Sequence, residues 1–265
     1  MSEPARVLLE IVERRRARLA AEAAPAALPP ACETPRSENP FLAALRRAPA
    51  RAVIAEVKLG SPRLGSLASR VDPERQARLY REHGAAALSV VVEPDYFFGS
   101  YELLRRCREA SGLPAIAKDF VVDERQLAWA RDAGADAVLL IAALYDAGTL
   151  RRWADAARRT GLVPLVETHD DQDLAKLAGS SWELVGVNNR DLRTFDVDLE
   201  RSVELRPRLP EGALTVAESG IASGADAALL AAAGFDAFLV GESLLLADDP
   251  AALLSELTGS SPPMR

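Results

Sequence analysis

Two cysteines, two histidines and three lysines are all that this 265-residue chain holds of those types, and aromatic residues make up only 5% of it. Each scarcity excludes something. Cys32 and Cys107 form no CxxC pair, which leaves no disulfide framework and no thiolate metal site. His169 has no second histidine near it in the sequence, so no metal centre is expected. Long apolar runs are also missing, and the stretch from Met1 to Ala20 mixes acidic and basic residues where a signal peptide needs an uninterrupted apolar segment. The expected compartment is therefore the cytoplasm, with no membrane partner. An excess of positive charge is lacking too: 32 basic against 39 acidic residues give a net charge of −7, with no basic stripe interleaved with aromatics. That balance argues against a nucleic-acid partner and favours solubility, and the expectation is a monomer or weak homo-oligomer.

What the chain does have is apolar residue, 49% of the total against 27% charged, enough for a large core. Short apolar runs recur at Ala52 to Ala55, Ala87 to Val92, Leu113 to Ala117, Ala137 to Ile141, Leu162 to Val166, Leu184 to Val187, Leu214 to Ala217 and Ala237 to Val240. Amphipathic Ala/Leu/Arg-rich segments of helical period lie between them, and several end in a glycine that reads as a helix stop, namely Gly84, Gly134, Gly161 and Gly234. Eight such strand, helix and glycine units without hairpin signals predict parallel strands joined by crossover helices. The economical closure is a (β/α)8 TIM barrel. A doubly wound open sheet competes, but it usually carries a Gly-rich turn after its first strand, and here that strand runs into Glu56-Val57-Lys58-Leu59-Gly60-Ser61-Pro62. The expected organisation is an N-terminal helical extension and connector over 1–50, a barrel over 51–258 and a frayed tail over 259–265. Within the extension, Val7 to Leu19 reads as an amphipathic helix, Ala23 to Pro40 as an Ala/Pro-rich connector and Phe41 to Arg46 as a short helix.

Lysine scarcity becomes informative at this point. A chain with 29 arginines and only Lys58, Lys118 and Lys176 uses arginine wherever a plain positive charge suffices. GC-rich codon usage could give the same count, so position decides. Barrels of this kind do their chemistry at the C-terminal ends of the strands. Those ends carry Glu56 with Lys58, Glu93, Lys118 with Asp119, Glu167, Asn188 with Asn189 and Arg190, Glu218 with Ser219, and Glu242 with Ser243 after Gly241. Glu56 and Lys58 are two apart on one strand and leave the same face, either as a buried ion pair or as part of a working mouth. Two lysines and several carboxylates around one mouth form an acid–base set able to drive pKa values apart.

The last two strands end in Glu218-Ser219-Gly220 and Val240-Gly241-Glu242-Ser243, small-residue turns suited to a phosphate held by backbone N–H groups. Weaker candidates have ordinary readings. His83 reads as a helix-end partner, and Asp170 or Asp171 as a helix cap after His169. Ser61 lacks the histidine and elbow of a serine nucleophile. The loop from Glu93 to Ser100, with Phe97 and Phe98, is either a wall for a flat ring or barrel-top packing.

Six stretches in order resemble the indole-3-glycerol phosphate synthase family: Ile54 to Lys58 with Ser61-Pro62, Lys118-Asp119-Phe120, Leu165-Val166-Glu167, Gly186 to Leu192, Ala217 to Ile221 and Val240 to Leu244. The resemblance spans nearly the whole chain, including the N-terminal helix. It implies closure of the pyrrole ring of 1-(2-carboxyphenylamino)-1-deoxyribulose 5-phosphate, with loss of carbon dioxide and water and without a cofactor. It also implies roles: Lys118 as general acid, Lys58 steered by Glu56 onto the substrate carboxylate, Glu167 in the later proton transfers, and Asn188 and Glu218 on the ribulose hydroxyls or intermediate. Arg190 would support the site, and Ser61 belongs to the matched motif of the first loop. Ser219, Gly220, Gly241, Glu242 through its backbone, and Ser243 would surround the phosphate. Phe97 and Phe120 would flank the anthranilate ring, with Leu139 and Leu239 completing the apolar wall. The chain departs from the family pattern at Leu59-Gly60, Arg63-Leu64, Val92 and Ala117, which keeps a diverged paralogue acting on or binding a related sugar phosphate as the alternative. Two rivals fit less well. A phosphoribosylanthranilate isomerase needs a placed Cys/Asp pair that Cys32 and Cys107 do not supply, and a non-catalytic binder would have no use for Lys118 and Glu167.

Overall fold

The computed structural model describes residues 3–22, 39–62, 65–67, 71–191, 194 and 196–259. Most of the Ala/Pro-rich connector with Cys32, the Arg63-Leu64 pair, Leu192 and the tail beyond Gly259 lie outside the described residues. Eight parallel strands are present: β1 (Ala52–Val57), β2 (Ala87–Val91), β3 (Ala115–Lys118), β4 (Ala137–Ile141), β5 (Val163–Thr168), β6 (Leu184–Asn188), β7 (Leu214–Glu218) and β8 (Ala237–Val240). Each pairs with the next, and β8 returns to β1 through Ala52 opposite Ala237 and Ala55 opposite Val240. Closure of the sheet settles barrel against open sheet.

The helices are α1 (Glu3–Ala21), α2 (Pro40–Arg47), α3 (Pro73–Glu82), α4 (Tyr101–Ser111), α5 (Glu124–Asp132), α6 (Ala147–Arg159), α7 (Asp171–Ala175), α8 (Glu200–Leu205), α9 (Gly224–Ala232), α10 (Glu242–Leu246) and α11 (Pro250–Thr258). Their starts are written in the sequence: Asp72, Ser100, Asp123, Asp146, Asp170 and Ser223 each accept a backbone N–H from the first turn. Gly84, Gly134, Gly161 and Gly234 follow the ends of α3, α5, α6 and α9 with positive φ, which turns the chain into the next strand. Asp136 and Asp236, two residues after the glycine in each case, reach back to the preceding strand. Their carboxylates accept from Ala115 N at 3.0 Å and from Thr215 N at 2.7 Å, so the repeat is stitched at the barrel's N-terminal end. No described helix is long and apolar enough to cross a membrane.

Alternation along the strands separates two cores. Val53, Ala55, Leu88, Val90, Leu140, Val166, Val185 and Phe238 face outward and pack with the helices. Ala52, Ile54, Ile116, Leu139, Leu165, Val216 and Leu239 face inward and fill the barrel. Phe41, Leu42 and Leu45 of α2 belong to that inner cluster, and Asn39, which caps α2, donates to the Asp136 carbonyl just before β4. Helix α2 thus stoppers the N-terminal end, leaving the other end for polar residues. Helix α1 docks near that other end: Arg15, 3% exposed, meets the Asp119 carboxylate at 2.7 Å, while Tyr101 and Gln126 each donate to Asp119 at 2.8 Å.

Candidate active site

Continuing the inward series by one step places the chemistry. Beyond Ile54 comes Glu56 and then Lys58; beyond Ile116, Lys118 and Phe120; beyond Leu165, Glu167 and His169; beyond Leu184, Gly186 and Asn188; beyond Val216, Glu218. A strand period of two therefore carries these side chains from the dry interior into the mouth.

There Lys118 is the hub. Its Nζ lies 2.9 Å from Glu218 Oε2 and 3.8 Å from both Glu56 Oε2 and Glu167 Oε2. Lys58 Nζ sits 3.0 Å from the other oxygen of Glu56, and the Ser89 hydroxyl lies 3.4 Å from Glu56 Oε2. Glu56 is thus the buried ion pair allowed for in the sequence and part of the mouth at once. Two glycines make room for this crowd. A Cβ at Gly186 would stand 2.2 Å from Glu218 Oε1, and one at Gly241 2.4 Å from Glu56 Oε1, so any side chain there displaces a carboxylate.

Three carboxylates face two ammonium groups in a nearly closed space, and the imbalance sorts their protonation. Burial works against charge on Lys118, but Glu218, Glu56 and Glu167 outweigh it and hold its pKa above the ordinary lysine range. Burial also raises Glu56, yet Lys58 and Lys118 keep it below the usual carboxylate value. Glu167 is driven down as well, because His169 and Lys118 overcome the burial. Glu218 goes the other way: fully buried, it is pushed up by desolvation and by Glu167, against the pull of Lys118. Its Oε1 is buried without a hydrogen-bond partner among the described residues. The mouth thus offers a charged ammonium, an ionised carboxylate and a carboxyl group ready to take a proton, which is an acid–base set for work on a carbonyl compound.

Around this hub stand the other expected residues. Arg190 Nη2 lies 3.6 Å from Glu242 Oε2, and the Arg190 N–H donates to Asn188 Oδ1 at 2.9 Å. Ser219 and Gly220 both take left-handed backbone, with φ of 66° and 78°, in the turn after β7. Gly241 caps α10, and Ser243 Oγ donates to the Ile221 carbonyl at 2.7 Å, joining the β7 and β8 turns. Phe97 and Phe120 lie with ring centroids 6.2 Å apart, and Leu139 and Leu239 are buried in the inner core. Ser61 pairs with Gly65 in a two-residue ribbon over the end of β1.

Three side chains play parts that the sequence did not assign. Glu93 is an organiser of the aromatic loop, accepting the N–H groups of Asp95, Tyr96 and Phe97 at 2.8–3.0 Å. Asp119, beside Lys118, anchors α1. His169, read as an isolated histidine, has Nε2 3.3 Å from Glu167 Oε1. The period of two was the available signal, since residue 169, one past the end of β5, continues the series of 165 and 167. A separate hollow of about 430 Å³ lies on the barrel flank against α1, lined by Arg15, Tyr101 and Trp129 among others. It contains none of the mouth's charged residues.

Comparison with known proteins agrees with this geometry. The family model described as indole-3-glycerol phosphate synthase matches residues 8–257. Relatives bearing that name include one from Chlorobium phaeobacteroides, 46% identical over 197 residues that cover 74% of this chain and 76% of the relative. Another, from Chromobacterium violaceum, is 44% identical over 220 residues, 82% of this chain and 83% of its own. Among solved structures, 3-hexulose-6-phosphate synthase from Salmonella typhimurium superposes with a TM-score of 0.62 at 16% identity, covering 78% of this chain and 97% of its own. At that identity the likeness is one of fold.

Proposed function

The chain belongs to the indole-3-glycerol phosphate synthase family, and on that premise we propose how its own residues divide the reaction. The activity is that of a carboxy-lyase in tryptophan biosynthesis: 1-(2-carboxyphenylamino)-1-deoxyribulose 5-phosphate closes to indole-3-glycerol phosphate, releasing carbon dioxide and water. In the first step the ring carbon bearing the carboxylate bonds to the ketone carbon while Lys118 gives a proton to the ketone oxygen. The carboxylate then leaves as carbon dioxide, and the electrons of its bond restore the aromatic ring and the neutral nitrogen. In the last step Glu167 takes a proton from the methylene carbon beside the nitrogen, and the hydroxyl, protonated by one of the two ammonium groups, departs as water. Solvent returns the proton that decarboxylation consumes.

Lys58, held by Glu56, binds the substrate carboxylate, and Asn188 and Glu218 receive the sugar hydroxyls. Phe97 and Phe120 flank the aromatic ring, with Leu139 and Leu239 behind it and Ser61 after the end of β1. The phosphate lies between the turns at Ser219-Gly220 and Gly241 to Ser243, with Arg190 bracing Glu242. No cofactor enters these steps. We also assign residues 1–50 as an extension, 51–258 as the catalytic barrel and 259–265 as a tail, in a cytoplasmic protein that works as a monomer or weak homo-oligomer.

The observation that carries this reading is the placement of Lys118 among Glu56, Glu167 and Glu218, which keeps a proton donor charged beside an ionised acceptor. The division of labour is tested by following carbon dioxide release and indole formation separately. Glu167→Gln should still release carbon dioxide while indole formation lags, whereas Lys118→Met should lose both. Equal loss of both signals in Glu167→Gln would contradict the assignment of Glu167 to the later step.

A further inference from the structure

Lys176, the one lysine outside the mouth, joins it through a chain of alternating charges. Its Nζ lies 2.9 Å from Asp173 Oδ1 and donates to the Ala142 carbonyl at 2.8 Å, fixing it against the end of β4. The other oxygen of Asp173 accepts the His169 backbone N–H at 3.1 Å and lies 3.4 Å from His169 Nδ1. On the far side of the ring, Nε2 is 3.3 Å from Glu167 Oε1, and Glu167 Oε2 faces Lys118 at 3.8 Å. The ring is buried, with Nδ1 at hydrogen-bonding distance from Asp173 and Nε2, which makes no hydrogen bond among the described residues, at ion-pairing distance from Glu167. A neutral imidazole would offer neither carboxylate a counter-charge; an imidazolium faces both.

We propose that His169 is a positioning residue for the reaction: as an imidazolium clamped between Asp173 and Glu167, it fixes the orientation and charge of the Glu167 carboxylate. The inference rests on the role of Glu167 given above and adds the device that holds it. Every charged group packed on the clamp is consistent with it. From β5 comes Glu167 and from α7 Asp173, itself braced by Lys176; from β3, Lys118 meets the outer oxygen of Glu167. From α8, Arg201 gives its Nη1 to the His169 carbonyl at 3.3 Å, with Nη2 3.7 Å from Asp191. Asn188 on β6 also favours the ionised form of Glu167. Burial alone would drive the proton off His169, yet its two carboxylates raise its pKa to about 9, so the ring stays charged where the enzyme works. The short helix α7, capped by Asp170, presents Asp173 at the right height and so serves the clamp.

Because the chain has only two histidines, the His169 resonance can be assigned directly by its loss in His169→Gln. NMR of the histidine Cε1–H groups in the full-length protein should show His169 titrating well above an ordinary ~6.5, and Glu167→Gln or Asp173→Asn should lower that midpoint by about one pH unit or more. In turnover, His169→Gln should lower kcat about tenfold or more with KM changed far less, and should move the acid limb of the kcat profile to higher pH. Asp173→Asn should do the same more weakly, and it poses the question independently if His169→Gln does not fold. An ordinary His169 midpoint, indifferent to Glu167→Gln, overturns the clamp. So does an unchanged kcat and acid limb in His169→Gln when Glu167→Gln is inactive, which leaves the role of Glu167 standing. If Glu167→Gln itself turns over normally, the role of Glu167 falls and the clamp's catalytic purpose with it.

Discussion

Replacing Gly186 by alanine tests whether the mouth is built to close tolerance. The new Cβ would stand 2.2 Å from Glu218 Oε1, 3.3 Å from its carboxyl carbon and 3.4 Å from Leu165 Cδ1. An ordinary contact needs more than an ångström of extra room, and Glu218 is fully buried, so its carboxylate must swing as a whole. Moving its outer oxygen from 2.9 Å to roughly 4 Å from Lys118 Nζ costs up to about 1.5 kcal/mol in the ionised form, at an effective dielectric constant near 20, and less as Glu218 takes a proton. Overpacking adds about 1–3 kcal/mol. The expected result is a fall in Tm of about 5–10 °C and a loss of kcat on the order of tenfold to a hundredfold, as befits a misplacement of about 1 Å. Differential scanning calorimetry and steady-state indole formation read the two effects. Wild-type Tm together with wild-type kcat would refute the reasoning that Gly186 exists to admit Glu218.

Other perturbations probe other joints. Arg15→Met leaves the buried Asp119 with Tyr101 and Gln126 as its side-chain donors among the described residues; it should destabilise by about 3 kcal/mol, read as a lower urea midpoint, and Arg15→Met with Asp119→Asn should recover part of that. Phe120→Ala removes one ring of the aromatic pair and should raise KM roughly tenfold with a smaller effect on kcat in an initial-rate assay. Stability should follow the charges of the clamp. His169, raised to about 9, contributes stability that is full below its unfolded value of ~6.5 and is lost as pH rises through the folded value. Glu167, lowered, contributes stability that is present above ~4.3 and is lost only in stronger acid. Denaturation of wild type and His169→Gln should therefore differ most near pH 6 and converge near pH 10.

Much of this was legible in the sequence because the barrel repeats a simple instruction. Apolar strand, capped helix and stop glycine recur at Gly84, Gly134, Gly161 and Gly234, and a period of two carries each inward series to a polar end, so the pattern alone sets Glu56, Lys118, Glu167 and Glu218 around one mouth. Contacts between distant segments were not legible. Arg15 and Asp119 are 104 residues apart, and only the docking of α1 brings them together. Glu93 carried the same charge and strand-end position as the mouth carboxylates, and only its three local N–H partners mark it as a loop organiser. The surroundings of His169 were not legible for a different reason: Asp173 comes from the following helix, and only the fold sets the ring between it and Glu167.

The central claim is that Lys118, held charged by three carboxylates, starts the reaction. Its most direct test is the rise of indole-3-glycerol phosphate fluorescence when purified protein meets the carboxyphenylamino-deoxyribulose phosphate, with Lys118→Met beside it. The account predicts rapid product from the wild type and a loss of about a hundredfold or more in the variant, with the fold retained by circular dichroism. Product at the wild-type rate from Lys118→Met, or none from a folded wild type that still binds the substrate, would contradict it.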